Sequence, residues 1–203
     1  MIAELLAEQS VGLTQIDAFA FGSGPGAFTG LRVACALVQG LAFASDRPVV
    51  PVGTLRALAY GARRRAQRST DDPQQGPLRA MAAVDARMGQ IYWAVYEGAQ
   101  PERRLAGPAL ATPEHVPGLI AQWRPQLIAG DALRAFESAW LSANGAIRMP
   151  DAAADASMVA ELARIDLAAG RAVAARDAAP EYVRDQVALT VAQRSGSDRS
   201  GVP

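Results

Sequence analysis

The sequence contains no lysine, and all 20 of its basic side chains are arginines. Without lysine the chain has no Schiff-base nucleophile and no phosphate-binding loop of the GK[ST] type. It also has a single cysteine, Cys35, and a single histidine, His115. A structural zinc site or a paired-histidine metal site is therefore very hard to assemble, and we predict no metal site.

Neither positive nor negative charge is in excess, because 20 acidic residues balance the 20 arginines and the formal net charge is zero. No overall field draws this chain to nucleic acid or to anionic lipid. The amino-terminal ten residues have the spacing of an amphipathic helix and not of a signal peptide, and no apolar run reaches eighteen uninterrupted residues. These features predict a cytoplasmic protein with no membrane span.

The order of the apolar segments predicts an α/β fold. Half of the residues are hydrophobic, which suits one globular unit or two small lobes with buried cores. Strand, helix, strand and helix patterns alternate over residues 16–68 and predict a parallel sheet covered by helices. A hairpin, a helix, a strand and two further helices are predicted after the polar stretch 69–77. The predicted units are an amino-terminal lobe (1–70), a carboxy-terminal lobe (78–189) and a mobile tail (190–203).

The glycine-rich loop between the first predicted strand and helix permits two interpretations. Gly22, Gly24 and Ala27 match the dinucleotide-binding pattern G-x-G-x-x-G/A in its required strand-to-helix context. Pro25 interrupts the backbone donors, however, and no acidic residue ends the next strand. The second interpretation is structural: glycine permits positive φ and close approach. In that interpretation Phe28 anchors the loop and Thr29 caps the next helix.

The helix after this loop carries small residues at every fourth position. Gly30 and Ala34 form one stripe, and Ala36, Gly40 and Ala44 form another. Small residues let a second helix approach closely, either inside the same chain or in a partner. The helix is apolar nearly all round, which favours burial on every side or cover by another chain.

Four segments carry a family resemblance. The run GSGPGAFTGLRVACALVQGLA resembles the GPGSFTGLR signature of the TsaB (YeaZ) family, which is the dimerisation subunit of the bacterial tRNA threonylcarbamoyladenosine biosynthesis complex. The segments VDARMGQIYWAVYE, LIAGDAL and APEYVRDQVAL are similar to three further motifs of that family, in the same order. The resemblance covers about residues 1 to 190.

The resemblance implies a two-lobed fold of the actin, sugar kinase and heat-shock-chaperone type (ribonuclease H-like), with each lobe built on a βββαβα unit. It implies a non-catalytic scaffold that pairs with a catalytic homologue, TsaD, with the ATPase TsaE assisting. Contact with tRNA is expected only within the complex, and a homodimer is expected when the chain is alone. The resemblance implies no catalytic residue, no metal and no cofactor of its own, with ATP or ADP at the partner interface left open.

The expected site residues follow from the same resemblance. The docking surface comprises positions on the opening helix and on the helix after the glycine loop: Ile2, Leu5, Leu6, Gly30, Val33, Ala36, Leu37, Gly40 and Ala44. The family glycine-loop motif falls on Gly24, Pro25, Gly26, Phe28, Thr29, Gly30 and Arg32. The alternative from a different class is an autonomous nucleotide-binding enzyme of the same fold, ATPase or glycopeptidase-like.

One departure from the family pattern concerns the amino terminus. Family members begin with some forty residues that form the first strands of the amino-terminal lobe, whereas this sequence begins in the helix that follows them. We therefore expect this lobe to lack its first strands and to expose an unpaired strand edge and part of its core. Self-association, strand borrowing or weak stability are the expected consequences.

The remaining reactive side chains favour structural interpretations. His115 falls in the first turn of a predicted helix, where a surface or capping role is commoner than that of a catalytic base, and no G-x-S-x-G elbow accompanies it. Cys35 is expected to be a buried apolar thiol. Arg63, Arg64, Arg65 and Arg68 could contact tRNA phosphates, but a solvated last helical turn is the preferred interpretation.

The predicted hairpin carries the other candidates. Asp85, Arg87 and Gly89 are interpreted as a tight turn with paired charges and not as catalytic residues. The hairpin aromatics, Tyr92, Trp93 and Tyr96, are expected to fill the core of the second lobe and not to stack on bases.

Overall fold

The structure is a computed structural model that describes residues 2–68, 78–98 and 103–184 of the chain. Helices and strands alternate along most of this length, so the protein is α/β. The helices are α1 (Ile2–Glu8), α2 (Phe28–Ser45), α3 (Thr54–Arg68), α4 (Val116–Trp123), α5 (Ala132–Ala135) and α6 (Ala156–Ala168). The strands are β1 (Phe19–Gly24), β2 (Val49–Gly53), β3 (Arg79–Arg87), β4 (Gln90–Glu97), β5 (Arg103–Ala111), β6 (Leu127–Ala129) and β7 (Ile147–Met149).

The first sheet consists of the parallel strands β1 and β2. Strand β2 is apolar along its length because helices cover both of its faces. Val49 packs with Phe21 and with the buried residues of α2, whereas Val50 and Val52 pack with Leu162 on α6. Helices α2 and α6 therefore lie on opposite faces of this sheet.

The second sheet has five strands in the order β5-β4-β3-β6-β7. Strands β3, β4 and β5 form an antiparallel meander, and β6 and β7 join it in parallel. One face buries Met81, Ile91 and Trp93 against α4 and α5, and the other buries Ala80 and Ala82 against α3. The chain order β3-β4-β5-α4-β6-α5 is the βββαβα unit that the resemblance implied.

Helix α3 joins the two sheets. Its residues Leu55 and Leu58 belong to the core of the second sheet, whereas Ala57 and Tyr60 belong to the core that α6 shares with the first sheet. Helix α6 thus packs on the first sheet although it follows the predicted boundary between the lobes. The boundary itself stays a prediction, and the predicted tail at 190–203 lies outside the described residues.

Two strands and one cap differ from the sequence-based expectations. Strands β5 and β7 were not predicted, and they are the two edge strands of the second sheet. Helix α2 begins at Phe28 with Ala27 at the N-cap position and no side-chain cap, so the predicted capping role of Thr29 is wrong. Helix α3 begins at Thr54, whose hydroxyl accepts a hydrogen bond from the Gly24 amide at 3.2 Å.

By length and composition alone, α2 is long and apolar enough to cross a membrane. The absence of an eighteen-residue apolar run therefore did not exclude such a helix, because α2 contains only one charged residue, Arg32, and few uncharged polar ones. In the structure Leu31, Cys35 and Ala42 of this helix are buried against the first sheet. A helix that is apolar on its inner and outer faces meets the same compositional test.

Candidate partner-docking surface

Helix α2 turns an apolar face to the outside of the molecule. Its inner residues occupy one narrow stripe because Leu31, Cys35 and Ala42 follow the helical period. On the outer side Val33 is 62% exposed, Leu37 is 50% exposed and Phe43 is 83% exposed. Exposed apolar side chains of this size on one side of a helix make that side a candidate interaction surface.

Four small residues of α2 lie on this outer side, whereas Ala34 is half-buried and packs against the core. Gly30, Ala36, Gly40 and Ala44 are all exposed. A Cβ atom added at Gly40 would meet no atom within 4 Å, and one added at Gly30 would meet only the Cβ of Ala27 at 4.0 Å. Packing within the chain therefore does not explain the stripe in the described part of the molecule, and its role in binding a partner stays a prediction.

Helix α1 was predicted to contribute three residues to the same surface. Ile2 and Leu6 are half-buried, Leu5 is 58% exposed, and none of the seven residues of α1 is buried. The sequence did not single out Phe43, although it is the most exposed large apolar side chain of α2. Its position next to Ala44 on the predicted stripe was the available signal.

The glycine loop is shaped by a backbone crossing. Gly24 has φ of +119°, and a Cβ atom at this position would lie 2.6 Å from the carbonyl oxygen of Glu181. The amide of Glu181 donates to the carbonyl of Ser23 at 2.7 Å. The Gly24 amide donates a hydrogen bond to the Thr54 hydroxyl. Gly24 therefore permits two chain segments to cross closely, which agrees with the structural interpretation of the loop.

The rest of the motif forms a small aromatic cluster at the start of α2. The ring centroids of Phe28 and Tyr182 are 5.5 Å apart, and the Arg32 guanidinium lies 3.8 Å from the Phe28 centroid. Arg32 also donates from Nε to the Tyr182 hydroxyl at 3.0 Å. Phe28 thus anchors the loop as expected, with Pro25 buried and Gly26 exposed beside it.

Residues 178–184, here called the carboxy-terminal segment, also contact the buried side of α2. The carbonyl of Ala178 accepts hydrogen bonds from Cys35 Sγ at 3.4 Å and from Gln39 Nε2 at 3.0 Å. Cys35 is buried as predicted, and this burial raises the pKa of its thiol. A protonated buried thiol is a poor nucleophile, so Cys35 is a packing residue.

The same segment reaches the hairpin between β3 and β4. Arg184 donates to Gln90 Oε1 at 2.6 Å and to the carbonyl of Ala86 at 3.1 Å. The segment therefore connects the glycine loop of one sheet to the hairpin turn of the other. Sequence reasoning did not bring these elements together, although the motif APEYVRDQVAL supplied the residues that do so.

The hairpin turn agrees with its prediction. Asp85 pairs with Arg87 at 3.0 Å, and Arg87 and Gly89 both have positive φ. Trp93 lies in the core on one face of the sheet, and Tyr96 lies in the core on the other. Tyr92 is half-buried and packs against the same core as Tyr96.

The arginines of α3 do not form one solvated turn. Arg63 is buried and donates to the carbonyl of Gly98, and Arg64 pairs with Glu161 on α6. The preferred interpretation, a solvated last helical turn, is therefore wrong for Arg63, whose side chain lies in the interior. The sequence could not separate the four arginines because the packing of α6 and of the segment after β4 decides which are covered.

The other chemistry-bearing residues form no site in the described ranges. His115 is exposed, and its Nδ1 lies 2.9 Å from the hydroxyl of Thr112, the N-cap residue of the turn that precedes α4. Among residues 2–68, 78–98 and 103–184, no group of three or more His, Cys, Asp or Glu side chains is placed to hold a metal ion.

Comparisons with known proteins give consistent matches over most of the chain. A family model described as TsaD, tRNA N6-adenosine threonylcarbamoyltransferase, matches residues 1–190. The tRNA threonylcarbamoyladenosine biosynthesis protein TsaB of Escherichia coli is 32% identical over 93% of this chain and 79% of its own length. The TsaB protein of Haemophilus influenzae is 45% identical over 46% of this chain and 36% of its own length.

A solved structure gives the same result for the fold. YeaZ from Pseudomonas aeruginosa is 37% identical and superposes with a TM-score of 0.73, over 90% of this chain and 81% of that one. The actin, sugar kinase and heat-shock-chaperone-like fold is therefore shared by the threonylcarbamoyltransferase model, this relative and the present chain. With this extent of sequence and structural agreement, the chain belongs to the TsaB (YeaZ) family.

Proposed function

We propose that this protein is the non-catalytic dimerisation subunit of a complex that makes threonylcarbamoyladenosine in tRNA. In this proposal it binds a catalytic TsaD homologue, which modifies the adenosine next to the tRNA anticodon, with a TsaE ATPase assisting. The relatives named for this pathway support the proposal. The observation that carries it is the exposed apolar face of α2.

The energetics of this face favour a helix partner. Val33, Leu37 and Phe43 retain half or more of their surface in solvent, so covering them contributes about 1 to 2 kcal/mol each. Gly40 and Ala44 lie between them and let a second helix approach to about 8 Å between axes. A partner of the same fold can supply such a helix from its own corresponding position, which is the usual arrangement between homologous subunits.

The scarcity of reactive groups favours the role of a non-catalytic subunit. The chain has one histidine, which is exposed beside Thr112, and it has no lysine. Its one thiol is buried against a carbonyl group. The proposal assigns the catalytic groups to the partner, with tRNA contacted only within the complex and any ATP or ADP bound at the interface between the two subunits.

The test uses Gly40→Trp and a matched control. Trp is a better helix former than glycine, and the space around Gly40 is open, so the variant is expected to fold normally. Gly118→Trp is the control because Gly118 is also helical, exposed and open, but lies on α4. Calorimetric titration with the purified TsaD homologue is expected to show at least tenfold weaker binding for Gly40→Trp and unchanged binding for Gly118→Trp.

Two results would contradict the proposal. If Gly40→Trp bound the TsaD homologue as tightly as Gly118→Trp and the wild type do, the outer side of α2 would not be the docking face. Robust ATP turnover or tRNA modification by the purified chain alone would favour an autonomous enzyme of the same fold. The expected result is that the chain alone shows neither activity and increases tRNA modification when it is added to the transferase.

A further inference from the structure

The tip of the β3–β4 hairpin carries a residue that the turn itself does not require. Met88 and Gly89 form a two-residue loop between the paired residues Arg87 and Gln90. Both loop residues have positive φ, +54° at Met88 and +69° at Gly89, which is the pattern of a type I′ hairpin turn. Such a turn favours glycine, asparagine or aspartate at its first position, because larger side chains rarely accompany positive φ. Turn formation therefore does not account for the methionine.

The Met88 side chain contacts the carboxy-terminal segment. Its sulfur accepts a hydrogen bond from Nη1 of Arg184 at 3.2 Å. The second nitrogen, Nη2, donates to Gln90 Oε1 and to the carbonyl of Ala86. In the described part of the chain Arg184 bonds to no carboxylate, so its positive charge meets neutral acceptors there. The thioether is the weakest of these acceptors.

Met88 is also open to small reagents in solution. It is 75% exposed, whereas Met81 is fully buried and Met149 and Met158 are half-buried. A cavity of about 330 Å³ borders the Met88 side chain, so an added oxygen atom has room beside it. Exposure determines which methionine of a folded protein is oxidised first, because the oxidant has to reach the sulfur atom.

We propose that Met88 is a reversible oxidation site whose sulfoxide binds Arg184 and tightens the carboxy-terminal segment on the hairpin. The oxidant is hydrogen peroxide. The sulfur attacks one peroxide oxygen and loses two electrons, the O–O bond breaks, and the other oxygen leaves as water with both protons. The new S–O group carries partial negative charge and accepts hydrogen bonds far better than a thioether. Methionine sulfoxide reductases reverse the change.

The direction of the effect follows from the position of the side chain. The added polar group at Met88 stays in contact with solvent, so it causes no burial penalty, whereas oxygen on the buried Met81 would disrupt the core. The Arg184 donor already lies within hydrogen-bond distance of the sulfur, and a charged donor bonds most strongly to a strong acceptor. The same segment donates from the Glu181 amide to Ser23 in the glycine loop. A firmer hold on Arg184 therefore slows opening at Glu181.

The experiment treats the full chain with dilute hydrogen peroxide and maps the products by peptide mass spectrometry. Met88 is expected to gain one oxygen atom about tenfold or more faster than Met81. In the oxidised chain, amide exchange at Glu181 and tryptic cleavage after Arg184 are expected to be about threefold slower. Treatment with a methionine sulfoxide reductase is expected to restore both rates.

Three variants separate this effect from general damage. Met88→Gln places a neutral amide acceptor near Arg184 and is expected to slow exchange at Glu181 without peroxide. Met88→Leu has no acceptor and is expected to show no response to peroxide. In Arg184→Ala, Met88 is expected to oxidise as before with no slowing at Glu181. The proposal is overturned if Met88 oxidises no faster than the half-buried methionines, if oxidation leaves exchange unchanged or faster, or if Arg184→Ala shows the same slowing.

Discussion

Replacement of Gly24 by alanine tests the structural interpretation of the glycine loop. The φ of +119° at this position costs a residue with a Cβ atom about 1 to 3 kcal/mol. The added atom would also lie 2.6 Å from the Glu181 carbonyl oxygen, so one of the two backbones must move. Loss of the hydrogen bond between Glu181 and Ser23 adds about 1 kcal/mol. We expect the free energy of unfolding to fall by about 2 to 4 kcal/mol.

Gly26→Ala is the matched control in the same loop. The nearest atom to a Cβ at Gly26 is a methyl carbon of Leu31 at 3.8 Å, which is an ordinary contact, and Gly26 is exposed. Its effect is expected to stay within about 0.5 kcal/mol, as for other surface changes. Urea unfolding followed by far-ultraviolet circular dichroism measures both values under identical conditions.

The two variants also separate a structural loop from a ligand-binding loop. If Gly24 serves the crossing with the carboxy-terminal segment, Gly24→Ala lowers stability in the absence of any nucleotide and speeds amide exchange at Glu181. Equal unfolding free energies for Gly24→Ala, Gly26→Ala and the wild type would refute the reasoning, because the close approach would then have no energetic consequence.

Two further predictions concern ion pairs and hydrogen bonds that join separate elements. Burial alone would raise the pKa of Asp166, but hydrogen bonds from Arg56 and Arg171 outweigh it and hold that pKa below its usual value. The stabilisation is therefore present above the unfolded pKa of about 4 and is lost as pH falls through the folded pKa. Acid titration should destabilise the wild type more steeply than Asp166→Asn. The control is Asp177→Asn, because Asp177 is exposed. Arg184→Ala removes the bonds to Gln90 and Ala86 and is expected to cost about 1 to 2 kcal/mol, measured by urea unfolding; an unchanged midpoint would show that the segment is held by its other contacts.

Much of the first sheet could be predicted because its residues follow clear periods. The apolar run before Gly53 and the turn residues around it placed β2 and the start of α3 correctly. The small-residue stripe of α2 was visible in the sequence alone. Strands β5 and β7 were not visible in the sequence. Gly107 and Pro108 interrupt β5, and such residues are tolerated in a strand only at the edge of a sheet, which the sequence does not reveal.

The candidate site divides in the same way. The sequence by itself determined the α/β class, the family motifs, the scarcity of reactive side chains and the helix that carries the proposed docking face, because these depend on local periodicity and residue chemistry. Only the tertiary structure decided which side of α2 faces solvent, which arginine of α3 is buried, and that the Glu181 backbone crosses Gly24. Those features depend on contacts between separate segments of the chain, such as Arg63 with Gly98 and Gly24 with Glu181, and no local pattern records which segments meet.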